Sequence, residues 1–268
     1  MEKYLIALDM DGTLLNKKHV ISSETSEYLR KLNKEGHIIV IASGRPVRGI
    51  MPFYNELELT TPIICYNGAY IYPGTNKDFP EYRFSFPKEI VLDIIKQIGY
   101  DKLENVILET NEDIYLLQNN DALDIFFSKK NMCVHLGPIE KTLTEDTMTV
   151  LFQVKDHSNN EFIRNIVEKY EGLKFRFWSG KWTEISEIYF EKINKGDALK
   201  SIAEFYNIPL ERVVSFGDAN NDIELIQVGK YGYAMKNGDE ELKQYATRIT
   251  EFTNDEDGVI KELQKIIK

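Results

Sequence analysis

The stretch Tyr4-Leu5-Ile6-Ala7-Leu8-Asp9-Met10-Asp11-Gly12-Thr13-Leu14 sets a short, wholly apolar run directly before two carboxylates and a glycine. A brief continuous apolar run bounded by polar residues suits a strand buried on both faces, as in a parallel sheet covered by helices. Residues 37–42 (HIIVIA) and 62–66 (PIICY) read the same way. Between the first two strands, residues 24–35 are polar and helix-favouring, with Tyr28, Leu29 and Leu32 on one side. Ser22 or Ser23 can cap that helix, and Gly36 fits just past its end. Pro46 suits the first turn of the next helix. The order β-α-β-α-β predicts an α/β lobe: a doubly wound, mostly parallel, Rossmann-like core.

The last third repeats the pattern. Helices are predicted over 195–206, 220–228 and 256–267, and strands over 212–216, 231–235 and 246–250. The middle has a different texture. Residues 106–117 and 148–154 read as longer, more alternating strands. Residues 88–98 and 159–170 read as helices, and 176–185 as a hairpin turning at Ser179-Gly180. This suits an α+β domain with one sheet face exposed. The expected organisation is a core over 1–82, an inserted α+β cap domain over 83–188, and a return to the core over 189–268.

Composition narrows the function. The chain has 268 residues, enough for two domains with a real core. Lys and Arg number 33 against 43 Asp and Glu, for a formal charge of −10, which argues against a general nucleic-acid binder or an anionic-membrane binder. Cys65 and Cys133 do not form a Cys-x-x-Cys pair, which argues against a disulfide scaffold or zinc knuckle. The first apolar run is too short for a signal-peptide core, and no run reaches membrane-spanning length. A soluble, cytoplasmic monomer is the expectation. His19, His37, His135 and His157 are scattered and read as surface or packing residues. The stripe Phe175, Phe177, Trp178 and Trp182 reads as sheet core or pocket lining.

Four segments carry candidate chemistry. Asp9 and Asp11 lie where a parallel strand ends, which is where open α/β sheets bind ligands. Close carboxylates repel and call for a cation, and Mg²⁺ prefers such hard oxygen ligands. The same residues also serve as a capped strand-to-helix turn. Ser43-Gly44-Arg45-Pro46 offers a hydroxyl and an N–H at a helix start, a phosphate cradle or an ordinary loop. Lys195 opens a helix, where its charge opposes the dipole unless it meets an anion; a solvated loop lysine is the alternative. Gly217-Asp218-Ala219-Asn220-Asn221-Asp222 puts further carboxylates after a buried strand, as ligands or as an Asx turn with a cap.

As a set, these segments resemble the Cof-type phosphatases of the haloacid dehalogenase superfamily, over nearly the whole chain. Asp9-Met10-Asp11-Gly12-Thr13, Ser43, Lys195 and Gly217-Asp218-x-x-Asn221-Asp222 match that family's four motifs. Tyr66-Asn67-Gly68-Ala69 and Asn254-Asp255-Glu256-Asp257-Gly258-Val259 also look like its signatures. The resemblance implies a Mg²⁺-dependent phosphatase of small phosphorylated metabolites, sugar phosphates above all. It implies Asp9 as nucleophile and Asp11 as general acid and base. Mg²⁺ would be held by Asp9, the Asp11 carbonyl and Asp218. Met10, Ser43, Gly44, Lys195 and Asn221 would hold the phosphoryl group, with Asp222 in support. Ala234-Met235-Lys236-Asn237-Gly238 departs from the usual Ala-Met-Gly-Asn-Ala, and Lys236 is expected to bear on substrate preference. A phosphomutase and a non-catalytic metabolite-binding module are the competing readings. Loss of catalysis should have removed Asp9, Asp11, Lys195 or Asp218, and all four are present.

Overall fold

The computed structural model describes residues 2–80, 82–119, 132–177 and 185–267. The chain divides into two compact units, Met1–Arg83 with Asn194–Lys268, and Phe84–Ile193.

The first unit is built on a five-stranded, all-parallel sheet. Its strands are β1 (Leu5–Leu8), β2 (Ile38–Ile41), β12 (Val213–Gly217), β13 (Tyr231–Ala234) and β14 (Arg248–Ile249), in the order β14-β13-β12-β1-β2. All four residues of β1 are fully buried, which accounts for the continuous apolar run. Helix α1 (Ser23–Lys34) follows β1, and Ser22 accepts the Thr25 N–H as its cap. Helix α2 (Val47–Glu56) follows β2, with Pro46 one position before it. A small antiparallel sheet of β3 (Ile63–Cys65), β4 (Tyr70–Tyr72) and β5 (Tyr82–Arg83) comes next. After the insertion come α6 (Lys195–Phe205), α7 (Ile223–Ile226), α8 (Glu240–Lys243) and α9 (Gly258–Ile266). The expected mostly parallel core is therefore present. The helix expected over 220–228 is shorter: a 3₁₀ turn at Asn220–Asp222 leads into α7, because the Asp222 carboxylate turns back onto the N–H groups of Asp218 and Ala219.

The second unit holds a six-stranded sheet in the order β10-β11-β9-β6-β7-β8, comprising β6 (Leu103–Glu109), β7 (Asp113–Leu116), β8 (Cys133–Leu136), β9 (Thr149–Val154), β10 (Leu173–Phe177) and β11 (Ile185–Phe190). Helices α3 (Lys88–Ile98), α4 (Ile139–Thr142) and α5 (Asn160–Val167) share one apolar core with one sheet face, through Val91, Ile95, Ile139, Ile163, Val106 and Phe152. Ile107, Ile114, Leu116, Leu151 and Ile185 cluster separately. Residues 106–117 are not one strand. Thr110 accepts the N–H groups of Glu112 and Asp113, and this turn folds β7 back on β6. The return to the first unit comes at Asn194 rather than at 189, because β11 pairs with β10 as far as Phe190. Phe175 is sheet core and Phe177 packs edge-on against it. The hairpin turn at Ser179-Gly180, with Trp178 and Trp182, lies outside the described residues. Among the described residues no helix is long and apolar enough to cross a membrane.

Candidate active site

Parallel pairing of β1 with β12 brings two chemistry-bearing loops side by side. Leu8 registers with Phe216, so Asp9 and Asp218 leave the sheet at the same edge. Gly12 makes that approach possible. Its φ is +85°, and a Cβ there would lie 2.2 Å from Asp218 Oδ2, so any side chain would collide with the carboxylate. Thr13 then donates its hydroxyl to Asp218 Oδ1 at 2.9 Å.

Lys195 is the cation of the site. It is wholly buried and donates to Asp9 Oδ1 and to Asp222 Oδ1, each at 2.7 Å. The solvated alternative for this residue is thereby corrected: the helix that starts at Lys195 points its first side chain into the carboxylates. Asn194 caps that helix by accepting the Asp197 N–H. Gly68 holds the approach from the other side. Its φ is +102°, and a Cβ would lie 2.3 Å from the Asn194 carbonyl oxygen, so backbone meets backbone there.

Asp9, Asp218 and Asp222 each offer an oxygen within 4.8 Å of the others. Three carboxylates thus face one ammonium. The consequence is an electrostatic excess. Burial first, then the charge of Asp222, holds Asp9 well above the usual carboxylate range, with Lys195 pulling the other way. Asp218 is pushed up to about 7 by burial and then by Asp222, against hydrogen bonds from Thr13 and Asp9. For Lys195, burial favours the neutral amine, but the charges of Asp222 and Asp9 outweigh it and hold the ammonium above its usual range.

The side chain of Asp11 is placed differently from the other three acids. Arg45 grips it with both arms, Nε to Oδ2 at 2.8 Å and Nη2 to Oδ1 at 2.5 Å. His19 Nδ1 lies 3.7 Å from the same carboxylate. Asp222 is the third acid of the cluster, where the sequence had assigned it support. One of its oxygens serves Lys195, and the other accepts the N–H groups of Asp218 and Ala219.

Ser43 is buried and Met10 fully so. Ser43 Oγ accepts the Arg45 N–H at 3.2 Å, so the hydroxyl and the first amides after β2 face one another. Asn221 donates to Asn67 Oδ1 at 2.9 Å, and a Cβ on Gly44 would lie 3.1 Å from that same oxygen. Asn67, itself in a left-handed conformation at φ 54°, ties the loop after β12 to the loop after β2. Asn237 donates to the Gly12 carbonyl at 2.7 Å, while Lys236 is exposed and its N–H donates to Thr250. Arg45, Asn67, Thr13 and Asn237 had no assigned role in the sequence. Arg45 and Asn67 both follow strand ends, and that position was the available signal.

The all-oxygen donor set and its charge match a hard divalent cation. When fully ionised, three carboxylates and one ammonium carry an excess of two negative charges, the charge that one Mg²⁺ would balance.

Comparisons with known proteins agree on one family. Residues 6–263 match the family of haloacid dehalogenase-like hydrolases. The 5-amino-6-(5-phospho-D-ribitylamino)uracil phosphatase YitU of Bacillus subtilis is 34% identical over 263 residues, covering 98% of this chain and 97% of its own. Phosphatase YwpJ of the same organism is 30% identical over 289 residues, covering 95% and 96%. Among solved structures, a haloacid dehalogenase-like hydrolase from Bacteroides thetaiotaomicron superposes with a TM-score of 0.83 at 28% identity, covering 99% of this chain and 100% of that one.

Proposed function

Because the chain belongs to the haloacid dehalogenase-like hydrolases, we propose that it hydrolyses phosphomonoesters of small metabolites through a covalent phosphate on Asp9. The observation that carries this reading is the buried cluster of Asp9, Asp218 and Asp222 around Lys195.

Asp9 directly follows the buried strand β1, and Lys195 fixes its Oδ1. Its other oxygen attacks phosphorus, and the bond from phosphorus to the ester oxygen breaks. Asp11 gives its proton to the departing oxygen, then takes one from the water that attacks the aspartyl-phosphate. Phosphate leaves and the Asp9 carboxylate returns. Arg45, which grips the Asp11 carboxylate, would hold it after it has given its proton to the leaving oxygen and until it takes one from water. Ser43, the amides of Gly44 and Met10, Asn221 and Lys195 hold the phosphoryl oxygens as charge moves onto them. Asp9, Asp218 and the carbonyl of Asp11 would hold a Mg²⁺, which would supply charge neutralisation at the phosphoryl group. The proposed domain roles place all of this chemistry in the core unit, with the inserted unit as the cap.

The test is phosphate release from a panel of phosphorylated metabolites. Sugar phosphates, pyridoxal phosphate and a phosphorylated ribityl compound such as the one in the name of the 34%-identical relative belong in it. Release is expected to fall by about 10²-fold or more when divalent cations are chelated. An isomerised sugar phosphate formed without free phosphate would instead support the mutase reading. No release from any member, with Mg²⁺ bound, would support the binding module.

A pH dependence follows from Asp218. Its carboxyl is protonated in the folded, cation-free protein up to about 7, whereas the unfolded chain loses that proton near the ordinary 3.8. Between those values the folded state binds the extra proton, so this group's contribution to stability is full below the lower value and falls as pH rises through the window. A cation must displace the same proton. Mg²⁺ affinity is therefore expected to rise between about pH 5.5 and about pH 8, by up to about tenfold per pH unit for each proton displaced from a ligand. Calorimetric titration at about pH 5.5 and about pH 8 checks this. A flat profile would remove Asp218 from the ligand set.

A further inference from the structure

A second cluster of possible ligands lies in the Phe84–Ile193 unit and shares no residue with the carboxylates around Lys195. Asp113, Cys133 and His135 each bring one donor atom within 4.8 Å of the others. Their convergence follows from strand register. β7 and β8 pair in parallel, with Asp113 opposite Cys133 and Tyr115 opposite His135. Side chains two apart on a strand share a face, so Asp113, Cys133 and His135 all rise from the same side of the sheet. Tyr115, on that side too, belongs to the apolar core beneath the helices.

The arrangement is held in place. The His135 ring stacks on Tyr115, with centroids 4.7 Å apart and planes at 13°. The Tyr115 hydroxyl is in turn fixed 3.0 Å from Thr144 Oγ1. His135 Nε2 lies 2.5 Å from Asp113 Oδ1. Cys133 is exposed, so its thiol is open to solvent on this edge.

The donor types differ from those of the core cluster. One sulfur, one imidazole nitrogen and one carboxylate oxygen form a borderline-soft set that favours zinc-class ions over Mg²⁺. Zinc bonds of about 2.0 Å to nitrogen and oxygen give a tetrahedron edge near 3.3 Å. His135 and Asp113 would have to part by somewhat under about 1 Å, within reach of half-exposed side chains. Three protein donors leave a fourth position for water.

We propose that Asp113, Cys133 and His135 form a binding site for a divalent transition-metal ion of the zinc class, tying β7 to β8. Sequence spacing hid it, because only Cys133-x-His135 is local and Asp113 arrives from the neighbouring strand. The inference does not depend on the phosphatase reading.

The experiment is titration of the full chain with Co²⁺, read by the sulfur-to-cobalt charge-transfer absorption. That band reports thiolate ligation, and the all-oxygen core cluster cannot produce it. Cys65, the other thiol, is buried in β3, so Cys65→Ser should keep the band. Wild type is expected to show a saturable band that Cys133→Ser abolishes. His135→Gln and Asp113→Asn should each weaken Co²⁺ binding by about tenfold or more. Zn²⁺ should displace the cobalt and shield Cys133 from thiol labelling. A band absent from wild type, one that survives Cys133→Ser, or affinities unchanged in both His135→Gln and Asp113→Asn would each overturn the site. Far-ultraviolet dichroism of each variant separates lost binding from lost fold, and a variant that misfolds is replaced by His135→Asn or Cys133→Ala.

Discussion

Asp9→Asn is expected to lower phosphate release by at least about 10⁴-fold while leaving the fold intact. The amide keeps an oxygen for Lys195 Nζ, now 2.7 Å from Oδ1, so the packing of the buried pair survives. It loses the charged oxygen proposed to attack phosphorus. The change also takes one carboxylate out of an overcrowded set. Asp9 is held above its ordinary range by burial and then by the charge of Asp222, with the charge of Asp218 adding to it. The metal-free variant should therefore unfold at the same temperature as wild type or higher, most clearly above neutral pH, where the wild-type cluster must carry more charge. Phosphate release and thermal unfolding, measured on one preparation, check both halves. Activity within about tenfold of wild type would take the nucleophile's role away from Asp9.

Lys195→Met is expected to act on stability as well as rate. The ammonium is wholly buried and pairs with Asp9 and Asp222. Removing it strands two buried carboxylates, which costs about 3–5 kcal/mol. The stranded groups can regain neutrality by taking up protons, so the loss should be smaller at about pH 6 than at about pH 8. In wild type the sign is the same as for Asp218, at a higher pH. The lysine is held above its ordinary 10.5, so its contribution is complete below that value and fades only as pH rises through the higher folded value. Turnover should fall by about 10³-fold or more if the same ammonium holds the phosphoryl oxygens as proposed. Urea unfolding at the two pH values measures the first effect. A solvated lysine at this position would instead change stability by about 0.5 kcal/mol or less.

That contrast shows where the sequence stops being informative. Strands β1, β2 and β12 were legible because each is a short run of apolar residues, and full burial on both faces demands such runs. The strand-end position of Asp9, Ser43 and Asp218 was legible for the same reason. The contact of Lys195 with Asp9 is not legible, because it spans 186 residues and no local pattern encodes it. Arg45 was visible beside Ser43, but its grip on the Asp11 carboxylate depends on a crossing of two loops that no local pattern encodes. Asn67 is a similar case, since it meets Asn221 across 154 residues. The hairpin at Thr110 has a sequence signal in Asn111-Glu112-Asp113, turn-favouring residues inside the expected strand, and the Thr110 backbone and hydroxyl close it. Asp222, which the resemblance puts in a supporting place, accepts a hydrogen bond from Lys195. In the structure it is the residue whose charge most raises Asp9 and Asp218 once burial is counted.

The order β14-β13-β12-β1-β2 has a consequence for how the protein is made. On the ribosome, β1 and β2 emerge early, but the other edge of β1 has no partner until β12 is synthesised, far later. The residues of the Phe84–Ile193 unit are contiguous and can collapse in the meantime. The nascent chain thus carries an unpaired, wholly apolar strand edge for most of its synthesis, the kind of surface that chaperones shield. Pairings of such long range are also slow to find. No catalytic centre exists until that last sheet closes, so an unfinished chain cannot hydrolyse phosphate esters.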